Sequence, residues 1–160
     1  MILATHAIAG AILANQLPDY PIIGFLIAFG SHFVLDAIPH WDYPILSLQR
    51  DSGSELDNKM EKGRNFYLDI LRTGADFAFG IAVALYILGN WNFPLPVLAG
   101  AIGGVLPDAL QLAYWKIRTE PLISLQRFHI FIHARGKIGK ALPGLIFQAG
   151  ILAALYLFIK

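Results

Sequence analysis

The sequence predicts an all-α fold: a polytopic membrane helix bundle of about five transmembrane helices, with one further helix at the interface. Three observations carry this. Of 160 residues, 56% are hydrophobic and only 14% are charged, against roughly 25% charged in a typical soluble domain. Mean hydropathy is +0.57. The apolar residues gather into five stretches, each near the ~20 residues that a bilayer core of ~30 Å requires. The length suits one integral membrane domain, 1–160. There is no cysteine, which excludes a disulfide framework and a thiolate metal site. No phosphate-binding glycine loop or nucleophile elbow is present, and no nucleic-acid partner is expected.

The first span, 2–17, is short and stops at Pro18-Asp19. It lacks a basic n-region, and Thr5-His6 interrupts its apolar run, so it does not read as a standard signal peptide. The second, 21–38, ends at Pro39, and the third, 66–88, ends at Gly89-Asn90. The fourth starts near Phe93-Pro94 and runs to Trp115; the fifth is 142–159. Two polar loops remain, about 41–65 and 116–140. Within the second, 122–133 is apolar but carries Gln126, Arg127, His129 and His133, which suits an interfacial or re-entrant helix. The acidic and basic run 51–64 reads as a solvated loop. Trp41, Trp91, Trp115, Tyr20, Tyr43 and Tyr114 stand at span ends, where aromatic belts form.

Basic residues set the orientation. Arg50, Lys59, Lys62 and Arg64 follow span two, and Lys116, Arg118, Arg127, Arg135, Lys137 and Lys140 follow span four. Four plus six makes ten, against Lys160 on the opposite side, with Arg72 inside a span. The positive-inside rule then places the N-terminus and both long loops in the cytoplasm and the C-terminus outside. The expected location is the cell (inner) membrane, with membrane lipids as neighbours.

Ionisable residues at membrane depth are costly and mark cavities or partners. Here they sort by depth. His6 lies near the start of span one, His32 and Asp36 near the end of span two, Asp69, Arg72 and Asp76 in the first half of span three, and Asp108 near the end of span four. All fall toward the cytoplasmic leaflet, and the outer half-spans carry none. One polar site opening to the cytoplasm is expected.

Its centre is the segment 31–42. His32 and Asp36 are four residues apart and share a helix face; imidazole and carboxylate at that spacing can bind one metal. Pro39 disfavours helix at Ile38, so the chain turns there and frees His40 and Asp42 to fold back. The competing reading is a His–Asp hydrogen bond that satisfies two buried groups. Asp108 follows Pro107, whose ring frees the Gly103 carbonyl, and Gly100 and Gly104 form a GxxxG spacing that lets another helix approach. Arg72 is placed to neutralise Asp69 and Asp76, with Asp76 a further ligand candidate. His129 and His133 are also four apart and can cap the site from the interfacial helix, or simply form a basic surface toward lipid headgroups.

At these residues the chain resembles the bacterial and archaeal membrane-bound predicted metal-dependent hydrolases. Thr5-His6-Ala7-Ile8-Ala9-Gly10 resembles that family's N-terminal Thr-His and small-residue helix. Ser31-His32 to Asp36 is similar to its Ser-His-x-x-x-Asp segment, and Leu106-Pro107-Asp108 to its Leu-Pro-Asp segment. The resemblance implies ligand roles for His6, His32, Asp36 and Asp108. The expected function is metal-dependent hydrolysis of an ester or phosphoester, including a lipid one, at the cytoplasmic leaflet. Nitrogen and oxygen ligands favour zinc. His40 or Asp42 is expected to act as general base, and Arg127, Arg135 or Lys137 to bind an anionic headgroup. A transporter or channel using the same cluster, and a non-catalytic scaffold, are the alternatives.

Overall fold

The computed structural model describes residues 1–159 apart from 90, 135 and 137. Among the described residues there are six α-helices: α1 Leu3–Ala14, α2 Pro21–Asp36, α3 Arg64–Leu88, α4 Leu95–Tyr114, α5 Leu122–Ile132 and α6 Ala141–Ile159. The fold is therefore all-helical. Three helices, α3, α4 and α6, are long and apolar enough to cross a membrane. The first two are shorter than the sequence suggests. With 12 and 16 residues, α1 and α2 reach only about 18 and 24 Å at the α-helical rise.

The short α1 is nevertheless the axis of the bundle. Its residues Ala4 to Ile12 are all buried, and it packs against α2, α3 and α4 and touches α6. An enclosed helix needs no lipid-matched length, because its ends meet protein rather than hydrocarbon. Its Ala- and Gly-rich sequence serves the same purpose. A Cβ at Gly10 would collide with the Gly100 carbonyl, and one at Gly104 with the His6 carbonyl, so the GxxxG pair does bring two backbones together. Ala7, Ile8, Ala11 and Ile12 then form the core with Ala84, Val97, Ala101 and Val105. The outside is apolar too: Ile22, Leu26, Phe79, Ile102, Ile146 and Phe158 are all exposed, as expected where lipid is the solvent.

The helices alternate in direction. The C-terminal ends of α1, α3 and α6, with Asn15, Gly89 and Tyr156, line one cavity at one end of the bundle. At Gly89 the chain leaves α3 with φ 66°, a left-handed turn that glycine adopts without strain. The other end holds the starts of α1, α3 and α6, the ends of α2 and α4, and α5.

The long polar loop differs from expectation. It is not merely solvated but carries a two-stranded antiparallel pair, β1 Leu48–Gln49 and β2 Lys59–Met60, in register Leu48 to Met60. The pair is tied down by residues far away in sequence. The Asp69 carboxylate accepts the Ser47 amide and hydroxyl at 2.8 Å each. The Tyr114 hydroxyl donates to the Leu56 carbonyl at 2.9 Å, and Arg118 to that of Asn58 at 2.6 Å.

Candidate metal centre

Asp36 ends α2, and every histidine of the chain, five in all, turns Nε2 toward its carboxylate. His129 lies 3.0 Å from Oδ2, His32 3.1 Å from Oδ2 and His6 3.1 Å from Oδ1. His40 is 3.8 Å from Oδ1 and His133 3.9 Å from Oδ2. Asp36, His6, His32, His40 and His129 are all buried. Asp108, 26% exposed, places Oδ1 3.7 Å from His32. Asp42, also 26% exposed, lies 3.2 Å from His40 and 3.9 Å from His133. The Met1 nitrogen sits among them, 2.7 Å from Asp36 Oδ1, 3.0 Å from His40 Nε2 and 3.1 Å from Asp42 Oδ1.

Local folding accounts for each placement. The i, i+4 spacing brings His32 and Asp36 onto one face of α2. Beyond the helix the chain turns at Pro39, and its strap back across the bundle carries His40 and Asp42. The segment after α5 runs beside this strap: the Ala134 amide donates to the Asp36 carbonyl at 2.8 Å and the Ile138 amide to that of His40 at 3.1 Å. His129 and His133 come from α5 and its end. Both therefore lie beside Asp36 rather than on a free surface.

The second ring nitrogens say what the first can do. His32 Nδ1 donates to the Gly104 carbonyl at 2.8 Å, His40 Nδ1 to that of Ile38 at 2.6 Å, and His133 Nδ1 to that of Ala134 at 3.3 Å. In a neutral ring this leaves Nε2 bare, with its lone pair aimed at a carboxylate. Two electron-rich atoms face each other stably only if a cation lies between them, either a proton on the ring or a metal ion. A backbone carbonyl holding the remote nitrogen is also the usual arrangement behind a metal-ligating histidine. His32 Nε2 and His129 Nε2 approach to 3.4 Å, so two rings point at one spot. His6 differs. Its Nδ1 is buried with no partner among the described residues, so its Nε2–H is free to donate to Asp36, and its ring stacks on His32 at 4.0 Å.

Two overlapping groups can hold an ion, each with its donor atoms within 4.8 Å of one another. One is His32, Asp36, Asp108 and His129; the other is Asp36, His40 and His133. Charge states in the strap suit this. Burial pushes the Asp42 carboxyl up, but the hydrogen bond from His40 and the positive Met1 nitrogen outweigh it and hold Asp42 below the usual carboxylate range. Burial pushes the His133 imidazole down, against the pull of Asp36. An ionised carboxylate and a neutral imidazole are the forms that bind metal.

The remaining sequence candidates lie elsewhere. Asp76 accepts from the Ala4 amide at 3.2 Å and the Tyr43 hydroxyl at 3.3 Å, at the start of α1. Asp69 lies 3.5 Å from Arg72, which also donates to the Pro44 carbonyl. Arg127 is exposed and, two residues before His129, stands about 200° from it around α5. Arg135 and Lys137 lie outside the described residues. Pro107 frees the Gly103 carbonyl, but the carbonyl His32 uses is the next one, Gly104.

One residue escaped the sequence reading. Gln148, buried in α6, donates to the Trp41 carbonyl at 2.8 Å and accepts from the Thr5 hydroxyl at 2.8 Å and the Ile2 amide at 3.3 Å. It ties the strap to α1 beside the centre. An amide inside an otherwise apolar span was the available signal.

Comparisons with protein-family models, with curated proteins and with solved structures found no match to this chain.

Proposed function

We propose that this chain is a membrane-embedded, metal-dependent hydrolase of an ester or phosphoester, with its site at the cytoplasmic leaflet. The observation that carries this is the ring of histidine Nε2 atoms around Asp36, with three of the remote nitrogens held by backbone carbonyls. His32, His129 and Asp36 would hold a divalent ion and leave a fourth position for water, with the partly exposed Asp108 beside it; zinc suits the nitrogen and oxygen donors. When bound, the ion supplies Lewis acidity that polarises the scissile bond and acidifies the attacking water. His6 donates to Asp36 and fixes its carboxylate. Asp42, ionised and partly open, takes the proton of the attacking water. His40 is less suited to that role, because both its nitrogens are engaged.

A lipid substrate fits the surroundings. Phe29, Gly30, Phe33, Val34, Phe128 and Ile132 line an apolar groove between α2 and α5. Phe33 packs against the rings of His32 and His129, with centroids 5.4 and 5.6 Å apart, so a lipid chain in the groove would have its head-group end toward the centre. The similarity of the Thr-His, Ser-His-x-x-x-Asp and Leu-Pro-Asp segments to membrane-bound predicted metal-dependent hydrolases supports the same reading. The transporter alternative needs a polar path to the other face. Between His6 and Asn15, α1 offers only Ala7, Ile8, Ala9, Gly10, Ala11, Ile12, Leu13 and Ala14.

Purified protein in nanodiscs, supplied with zinc or manganese, is expected to cleave phospholipid or p-nitrophenyl ester substrates and to stop on chelation. A metal-loaded protein that cleaves none of them, yet gives a cation flux in liposomes that Asp36→Asn abolishes, contradicts this in favour of transport.

A further inference from the structure

We propose that the centre holds two divalent cations bridged by the Asp36 carboxylate, rather than one. This deepens the hydrolase reading and rests on its ion site.

The donors are too many for a single ion, and they fall on two sides. A protein-bound zinc ion takes four ligands, one of them water in a catalytic site. Five histidines and two further carboxylates, Asp42 and Asp108, surround Asp36. The two groups of converging donors share Asp36 and no other residue. His32 and His129 face Oδ2, at 3.1 and 3.0 Å, with Asp108 beyond His32. On the other side His40 faces Oδ1 at 3.8 Å, and His133, whose ring lies 4.9 Å from that of His40, reaches across to 3.9 Å from Oδ2. A carboxylate has two oxygens and can give one to each ion.

The second side is prepared as the first is. His40 and His133 both spend Nδ1 on a backbone carbonyl, which leaves Nε2 as the ligand atom, as in His32. Asp36 Oδ1, His40 Nε2 and Asp42 Oδ1 converge on the Met1 nitrogen, so that spot offers two carboxylate oxygens and a ring nitrogen to a cation that displaces the Met1 ammonium. Two ions about 3.5–4 Å apart are the arrangement that grips both the attacking and the leaving oxygen in phosphoester cleavage. The inference thus favours a phosphoester over a carboxylic ester.

The test is manganese loading of the full-length protein in detergent, with metal-to-protein ratio and electron paramagnetic resonance read on the same sample. Two Mn²⁺ per chain with an exchange-coupled spectrum are expected. His133→Ala, which removes a partly exposed side chain, is expected to leave one Mn²⁺ with an uncoupled six-line spectrum in a protein whose thermal unfolding is that of a folded bundle. One uncoupled Mn²⁺ in the wild type overturns the bridged pair and leaves the single-ion hydrolase standing. Two uncoupled Mn²⁺ overturn the bridge. No bound Mn²⁺, with none for zinc either, overturns the ion site itself and the hydrolase reading with it.

Discussion

Asp36 sits buried among five imidazoles, and three of them, His32, His40 and His133, have the second ring nitrogen held by a backbone carbonyl. The Gly104 carbonyl orients His32, and the same glycine lets α4 lie against the His6 backbone. One small residue therefore serves both packing and the site. Gln148 has a comparable double role, joining Ile2 and Thr5 of the α1 start to Trp41 of the strap. Gln148→Leu leaves those groups without their partner in a buried setting. It is expected to cost about 1–3 kcal/mol of stability. It should also weaken metal binding by roughly 10–100-fold, as losses of supporting contacts around metal ligands do. Thermal unfolding and a metal titration on the purified variant check both, and unchanged values in both contradict this role. Sequence alone placed His6, His32, Asp36 and Asp108 at a common depth because the span boundaries fix depth. It could not assign Gln148, since its partners are 107, 143 and 146 positions away and leave no local pattern.

The elements that match the sequence reading best are those set by long apolar runs: α3, α4 and α6. The helical 122–132 segment is also legible, from its apolar yet histidine-bearing pattern. The sequence overstates the length of α1 and α2, which end at 12 and 16 residues, because hydropathy counts apolar residues and is blind to what they face. An Ala-rich segment buried against neighbouring helices looks the same as one in lipid. The reading fails for the Leu48 to Met60 pair, whose anchors Asp69, Tyr114 and Arg118 act across long sequence separations. The alternating helix directions and the ten-to-one placement of basic residues lead us to propose that the N-terminus is cytoplasmic and the C-terminus outside. A reporter fused after Lys160 is expected to read as extracytoplasmic. A cytoplasmic reading contradicts the five-pass arrangement.

For the whole molecule, the bundle is polar at one end and apolar through its axis. The core of Ala7, Ile8, Ala11, Ile12, Ala84, Val97, Ala101 and Val105 is apolar throughout, and α5 and the strap lie at the histidine end. A buried carboxylate in such a place is stable only with compensating positive charge; the Met1 ammonium meets Oδ1, and we propose that a metal ion meets Oδ2, where His32 and His129 converge. The direct measurement is elemental analysis of wild type and Asp36→Asn, purified side by side without chelator or polyhistidine tag. Asn keeps the shape and hydrogen bonding of Asp but ligates weakly. Stoichiometric divalent metal is expected in the wild type, and little or none in a folded Asp36→Asn. A wild-type protein that is metal-free and takes up no added zinc, manganese or magnesium would contradict this, and would leave the Met1 ammonium and imidazolium–carboxylate pairing as what holds the cluster.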